Sequence, residues 1–246
     1  MKIRLDKIIL EKELVRTIKE AQALIMTGRI IVNGKVCDKP GTLTPKDAEV
    51  IIKEKFPYVS RGALKIEKAY QEFNLNFMDK IVCDIGSSTG GFTDFVLQHG
   101  AKQVFAIDVG HGQLDQKLRE DKRVAVMERT DFRKVVKLPE SIDYFLCDVS
   151  FISLKKMLPH IKQLTANSQQ PKAYIIALIK PQFEASDKEV ARGKGIIKSE
   201  QLRLEIIEEI KNFAQDLGFE IQGLAESPIR GTKGNVEYLL YLKTRA

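Results

Sequence analysis

The chain has only three cysteines in 246 residues, Cys37, Cys83 and Cys147, far apart and never in a CxxC pair. An odd, scattered set supports neither a disulfide framework nor a zinc site, and it suits a reducing cytoplasm. Long apolar runs are also missing. No window approaches the roughly 20 apolar residues of a membrane span. The opening stretch MKIRLDKIILEKEL is broken by charges at once, so neither secretion nor membrane insertion is expected. Internal repeats and low-complexity segments are absent. What remains is 43% hydrophobic and 30% charged, which is neither disordered nor collagen-like and suffices for one medium domain plus a small one.

The net charge is +7, from 40 Lys and Arg against 33 Asp and Glu. A basic bias suggests a polyanionic partner. It is not evenly spread: residues 1–60 hold 12 basic and 8 acidic side chains, and the remainder 28 and 25, so the first quarter is about four times as basic per residue.

That quarter begins with Ile3, Leu5, Ile8 and Ile9 at helical spacing, followed by a second helical stretch from Thr17 to Met26. The period then changes. Gly28 suits a helix C-cap, and RIIVNGKVCD reads as two short strands joined by Asn33-Gly34, the strongest two-residue hairpin signal. Pro40-Gly41 and Thr44-Pro45 add turns, and AEVIIK is a last short strand. A small α+β domain is expected over 1–55. The stretch KEKFPYVS, with Pro57, interrupts the pattern, and a linker is placed at 56–62.

Residues 63–246 alternate apolar runs with helical stretches. KIVCDIG, QVFAIDVG, RVAVMERT, IDYFLCDVS, AYIIALIK, FEIQGLAES and VEYLLYLK read as strands, with helices such as Thr93 to His99 and Ser199 to Leu217 between them. This is the pattern of an α/β, doubly wound, mostly parallel sheet of Rossmann-like type. The last two strands, separated by PIRGTKGN, are expected to form an antiparallel edge.

VCDIGSSTGGFTD follows a predicted strand and opens a helix, so its glycines let backbone approach a ligand. It is neither a dinucleotide GxGxxG nor a P-loop. The candidate cofactor contacts are Asp84, Gly86, Ser87, Ser88, Gly90, Gly91 and Phe92 here, Asp108 and its neighbour Val109 at the next strand end, and Asp131 at the one after. Asp108 is placed to accept a ribose diol and Asp131 an adenine amino group. Three carboxylates disfavour a pyrophosphate and suit an adenosine bearing a sulfonium and an ammonium, which points to S-adenosyl-L-methionine.

Three charges stand where a buried strand should be apolar: Asp148 in FLCDVS, Lys180 in ALIKPQF and Glu237 in NVEYLLYL. Buried charges are costly unless paired, so together they read as a site. A lysine amine beside carboxylates and away from water can take or position the proton of an attacking hydroxyl such as a ribose 2′-hydroxyl. Lys65, on a helix just before the first sheet strand, is either a solvated residue or a contributor from the side.

RLDKIILEKELV, EAQALIMTGRIIVNGKV and KPGT resemble the alpha-L RNA-binding module first seen in the small-subunit ribosomal protein S-four. YVSRGALKIEKA, DIGSSTGGFTD, IDVGHGQL, CDVSFISL, LIKPQFE and KGNVEYLLYL are similar to successive blocks of the TlyA-type family, also called hemolysin A, with an FtsJ-like methyltransferase domain. The resemblance runs from near residue 3 to residue 243; MERTDFRKV matches least. It implies a Rossmann-like methyltransferase fold, S-adenosyl-L-methionine as methyl donor, and 2′-O-methylation of ribosomal RNA, at cytidines in the best-known relatives. The family's tetrad falls on Lys65, Asp148, Lys180 and Glu237. In it, Lys180 activates the hydroxyl, Asp148 holds Lys180, and Lys65 and Glu237 position the ribose. Arg4, Arg16, Lys19, Arg29, Lys35 and Arg61 are the expected RNA contacts, to phosphates more than to bases. Ribosomal RNA or ribosomal subunits are the expected partner, with no metal and no membrane. The alternatives are a methyltransferase acting elsewhere on RNA or on a small molecule, an RNA-binding protein that does not catalyse, and a membrane-active hemolysin.

Overall fold

A computed structural model describes residues 2–53, 56–168 and 172–245. Glu54 and Lys55, inside the stretch expected to interrupt the pattern, lie outside the described residues. The chain divides into two units, Met1–Pro57 and Tyr58–Ala246.

The first unit runs β1 (Lys2–Arg4), α1 (Leu5–Glu11), α2 (Ile18–Met26), β2 (Ile30–Val32), β3 (Lys35–Cys37), β4 (Leu43–Pro45) and β5 (Val50–Ile52). Thr17 caps α2 by accepting from the Glu20 amide at 3.2 Å, the satisfied first-turn donor that starts a helix here. Asn33 and Gly34 both take positive φ, 47° and 77°, as the tight turn between β2 and β3 demands. Leu5, Ile9, Val15, Ala21, Ile25 and Ile30 form the core. KPGTLTP carries turn signals and no strand pattern, yet β4 within it pairs antiparallel with β1.

The second unit comprises α3 (Ala63–Glu72), β6 (Ile81–Ile85), α4 (Gly91–Gln98), β7 (Gln103–Ile107), α5 (Gln116–Arg119), β8 (Val124–Met127), β9 (Tyr144–Cys147), α6 (Leu158–Ala166), β10 (Tyr174–Ile179), α7 (Pro181–Glu184), α8 (Asp187–Arg192), α9 (Glu200–Asp216), β11 (Phe219–Glu226) and β12 (Tyr238–Thr244). The sheet order is β11-β12-β10-β9-β6-β7-β8. Only β12 runs against its neighbours. The antiparallel pair expected at the end of the chain is therefore present, with β12 inserted between β10 and β11 rather than at the rim.

Because both faces are covered, successive strand residues are buried alternately on opposite sides. Val82, Val104, Ala106 and Leu146 pack with α3 and α4, while Cys83, Phe105, Phe145 and Cys147 pack with α6 and α9. Cys83 and Cys147 are fully buried, and burial pushes the Cys147 thiol up to about 12, so both behave as small apolar side chains. Among the described residues, no helix is long and apolar enough to cross a membrane.

Candidate active site

From β6 the chain proceeds outward to β7 and β8, and it returns on the other side through β9 and β10. The carboxyl ends of β6 and β9 thus frame the reversal point at which doubly wound sheets bind ligands. The glycine-rich turn sits there. Gly86 takes φ +82°, and a Cβ on it would stand 2.7 Å from the Asp148 carbonyl oxygen, so only glycine lets the turn lie against the end of β9. The Gly86 and Ser87 amides both donate to the Ile107 carbonyl, at 2.8 and 3.1 Å, which ties the turn to β7 as well.

Asp108 is the first residue beyond β7, and its carboxylate accepts from the Ser88 amide at 2.8 Å and the Gly110 amide at 2.7 Å. Its oxygens are aimed by backbone and retain lone pairs for a diol. Val109 beside it is 74% exposed. Phe92, on α4, is packed into the core with residues of α3, and Ser87 in the turn and Gly91 at the start of α4 are buried.

The acids expected at three strand ends are held in three different ways. Asp84 lies inside β6, fully buried, with Oδ2 accepting from the Thr93 amide at 3.0 Å and the Thr93 hydroxyl at 2.6 Å. It fastens the start of α4 beneath the turn, and burial pushes its carboxyl up to about 7 despite those bonds. Asp131 stands four residues past the end of β8, caps a short 3-10 turn, and gives both oxygens to the Arg133 guanidinium, at 2.9 and 2.7 Å. The acid at the end of β8 is Glu128, paired with Arg119 and His111.

Four charges converge at the crevice from distant parts of the chain. The Lys65 ammonium, from the first turns of α3, lies 3.1 Å from Asp148 Oδ2 and 2.8 Å from Glu237 Oε2. The Lys180 ammonium, at the end of β10, lies 2.5 Å from Asp148 Oδ1 and donates to the Ser150 hydroxyl at 3.0 Å. Lys65, Lys180 and Glu237 are all less than a tenth exposed. Burial acts to raise the Asp148 carboxyl, but Lys180 and Lys65 outweigh it and hold the group below its ordinary value. Burial likewise acts to lower Lys65, and the two carboxylates outweigh it, so Lys65 stays charged. The ion contacts are close but off the hydrogen-bond axis at Asp148 Oδ1 and Glu237 Oε2, which have no well-aligned donor among the described residues.

Ser150 and Phe151, beside this cluster, carry little signal in the sequence. Phe151 is 90% exposed, holds φ at +63°, and its ring stands 5.0 Å from that of Phe183, just past Lys180. A bulky residue in the left-handed region and open to water is strained. Its only sequence signal was an apolar residue three positions after Asp148.

The expected RNA contacts divide. Arg16, Lys19 and Lys35 are exposed in the first unit and Arg61 in the second. Arg4 instead clasps the buried Asp6 carboxylate with both arms of its fork, at 3.0 and 2.6 Å, and Arg29 Nε donates to the Lys53 carbonyl at 3.2 Å.

A mostly parallel seven-stranded sheet with its next-to-last strand reversed, a glycine turn at the reversal point and an acid on the adjoining strand end define a Rossmann-like methyltransferase. The FtsJ-like methyltransferase family matches residues 58–244 and the S4 domain residues 3–50. The chain belongs to the FtsJ-like methyltransferases, in the TlyA group that carries an S4 domain at its N-terminus. YqxC of Bacillus subtilis (strain 168), named as an rRNA methyltransferase, is 44% identical over 98% of this chain and 85% of its own. The 16S/23S rRNA (cytidine-2′-O)-methyltransferase TlyA of Mycobacterium tuberculosis is 37% identical over 98% of this chain and 90% of its own. A solved structure from Streptococcus thermophilus, named as a hemolysin, has a TM-score of 0.73 and 41% identity, covering 99% of this chain and 88% of that one.

S-adenosyl-L-methionine, the methyl donor of this family, fits the residues present. The Gly86 turn presents bare backbone where a Cβ would not fit, and the Asp108 carboxylate is oriented by two amides at the next strand end.

Proposed function

We propose that this chain methylates the 2′-hydroxyl of a ribose in ribosomal RNA, with cytidine as the target nucleotide. The observation that carries the reading is the buried Lys65, Asp148, Lys180 and Glu237 cluster beside the glycine turn. The name of the M. tuberculosis relative supports the nucleotide and the RNA.

Bound S-adenosyl-L-methionine supplies an electrophilic methyl group on a sulfonium. The residues of the chain manage the hydroxyl. Asp148 and Ser150 anchor the Lys180 nitrogen from two directions, and its remaining direction is left for the substrate oxygen. In its neutral form Lys180 takes from the 2′-hydroxyl the proton that the transferred methyl group would replace, and Asp148 stabilises the resulting ammonium. Lys65 stays charged and fixes Asp148 and Glu237 relative to one another, so that Glu237 accepts from a neighbouring ribose hydroxyl. Alignment and proton removal by this set supply most of what a hydroxyl of high pKa requires.

The test is methyl transfer to unmethylated ribosomal subunits, with the product mapped by mass spectrometry. The expected product is 2′-O-methylcytidine, resistant to alkaline cleavage. Lys180→Ala is expected to lower kcat on the order of 100-fold or more while calorimetry shows S-adenosyl-L-methionine still bound. Methylation of a base, or full activity in Lys180→Ala, overturns the reading.

A further inference from the structure

Two short loops outside the tetrad share one unusual conformation. Lys194-Gly195 follows α8, with φ of +53° and +88°, and Lys233-Gly234 precedes β12, with φ of +59° and +88°. Glycine accepts this region freely, but each lysine carries a left-handed backbone that costs on the order of 1 kcal/mol. The loops touch: a Cβ on Gly195 would stand 2.9 Å from the Lys233 ammonium and 3.3 Å from its Cδ.

A buried amide locks them together. Asn235 is 2% exposed, accepts from the Ile197 amide at 3.0 Å and donates to the Gly195 carbonyl at 2.8 Å. The second loop closes on itself, with the Gly231 amide donating to the Asn235 carbonyl at 2.9 Å. Gly231 then lies so flat on the Glu237 carboxylate that no Cβ fits between them. The loops are thus fixed to a member of the tetrad.

This fixed edge is basic. Arg192, Lys194, Arg230 and Lys233 are exposed along it. Arg230 pairs with Glu226 at 3.3 Å, whereas Arg192, Lys194 and Lys233 have no carboxylate partner among the described residues. The nearby acids of α8 are Asp187 and Glu189, and Glu189 is engaged by Ser186 in the helix cap. Cations held on fixed loops beside a catalytic crevice, with no carboxylate to neutralise them, suit the phosphates of a polyanion.

We propose that the loops around Lys194 and Lys233 form a second RNA contact, a rim that grips the phosphate backbone flanking the target ribose and sets it against Glu237. The proposal rests on the reading of the chain as an RNA methyltransferase. It adds to the basic first unit a second phosphate contact, beside the catalytic crevice.

The experiment compares the full chain with the charge-neutralised variants Arg192→Gln, Lys194→Gln and Lys233→Gln, singly and together, and with Lys102→Gln, exposed just before the amino end of β7, as a control. Affinity for unmethylated ribosomal subunits is measured across a salt series, alongside methyl transfer. The triple variant is expected to lose about 10- to 100-fold in affinity at moderate salt, with its log–log salt slope shallower by about 2 to 3. KM should rise in step, with S-adenosyl-L-methionine affinity unchanged and Lys102→Gln like wild type. Wild-type methylation with unchanged affinity and slope in the triple variant overturns the rim and leaves the methyltransferase reading standing. A wild-type protein that methylates no RNA overturns that reading, and the salt slopes still decide the rim.

Discussion

Lys65 and Glu237 meet 2.8 Å apart, one arriving on the helix that precedes the sheet and the other at the entry to its last strand. With Asp148 3.1 Å from the same ammonium, the lysine is the keystone between two carboxylates that would otherwise repel. Removing one partner of a buried ion set strands the others. Lys65→Met should therefore destabilise the second unit by about 3 kcal/mol in urea unfolding. Adding Glu237→Gln should recover a large part of that loss while activity stays absent. A double variant whose loss equals the sum of the two single losses would show that the pair is not coupled.

The contact between Gly86 and the end of β9 gives a sharper backbone test. Alanine at 86 meets both a left-handed φ of +82° and a carbonyl oxygen 2.7 Å from its Cβ. Gly86→Ala should cost roughly 2 kcal/mol or more and push the turn away from Asp148, weakening S-adenosyl-L-methionine binding by at least about tenfold. Gly112→Ala, at φ +70° with open space around its Cβ, should keep normal cofactor binding in the same calorimetric titration.

The sheet was legible because buried parallel strands read as continuous apolar runs, and the hairpin because Asn33-Gly34 is a local signal. Asp148 and Lys180 were legible as charges breaking such runs. Lys65 was not, since one charged residue on an amphipathic helix looks like any other until the sheet brings Asp148 to it. The pairing of β1 with β4 was hidden for a related reason: each is three residues long, with Leu43 exposed, so neither shows a period. Asp131 stands four residues beyond its strand rather than at the strand end because β8 stops at Met127, earlier than the run of residues suggests, which leaves Glu128 there.

Asp84 makes stability depend on pH. Its carboxyl is pushed up to about 7 by burial, with Asp148 and Asp108 adding repulsion, whereas in the unfolded chain it titrates near 4. Between about pH 4 and 7 the unfolded chain has released this proton and the folded chain has kept it, so its contribution to stability is full below about pH 4 and fades as pH rises toward 7. Asp84→Asn keeps an acceptor for Thr93 and carries no charge. Relative to wild type it should gain stability steadily from pH 5 to pH 7 in urea titrations, by up to about 1.4 kcal/mol per pH unit, and level off above. A difference that is flat across this range would mean that Asp84 ionises normally.

Phe151 separates stability from activity. Its ring is 90% exposed and its backbone sits at φ +63°, so it contributes little to the core and holds strain. Standing 5.0 Å from Phe183 and three residues past Asp148, it presents an aromatic face on which a base can stack, an interaction of about 1–3 kcal/mol for single-stranded nucleic acid. Phe151→Gly relieves the backbone and removes the ring. It should raise stability by about 1 kcal/mol and lower kcat/KM for ribosomal subunits by about 10- to 100-fold, with S-adenosyl-L-methionine affinity unchanged. Phe151→Tyr should retain most of the activity, because it keeps the stacking face. A glycine variant as active as wild type would remove Phe151 from the substrate surface, and one that loses stability would show that the ring packs in the folded protein.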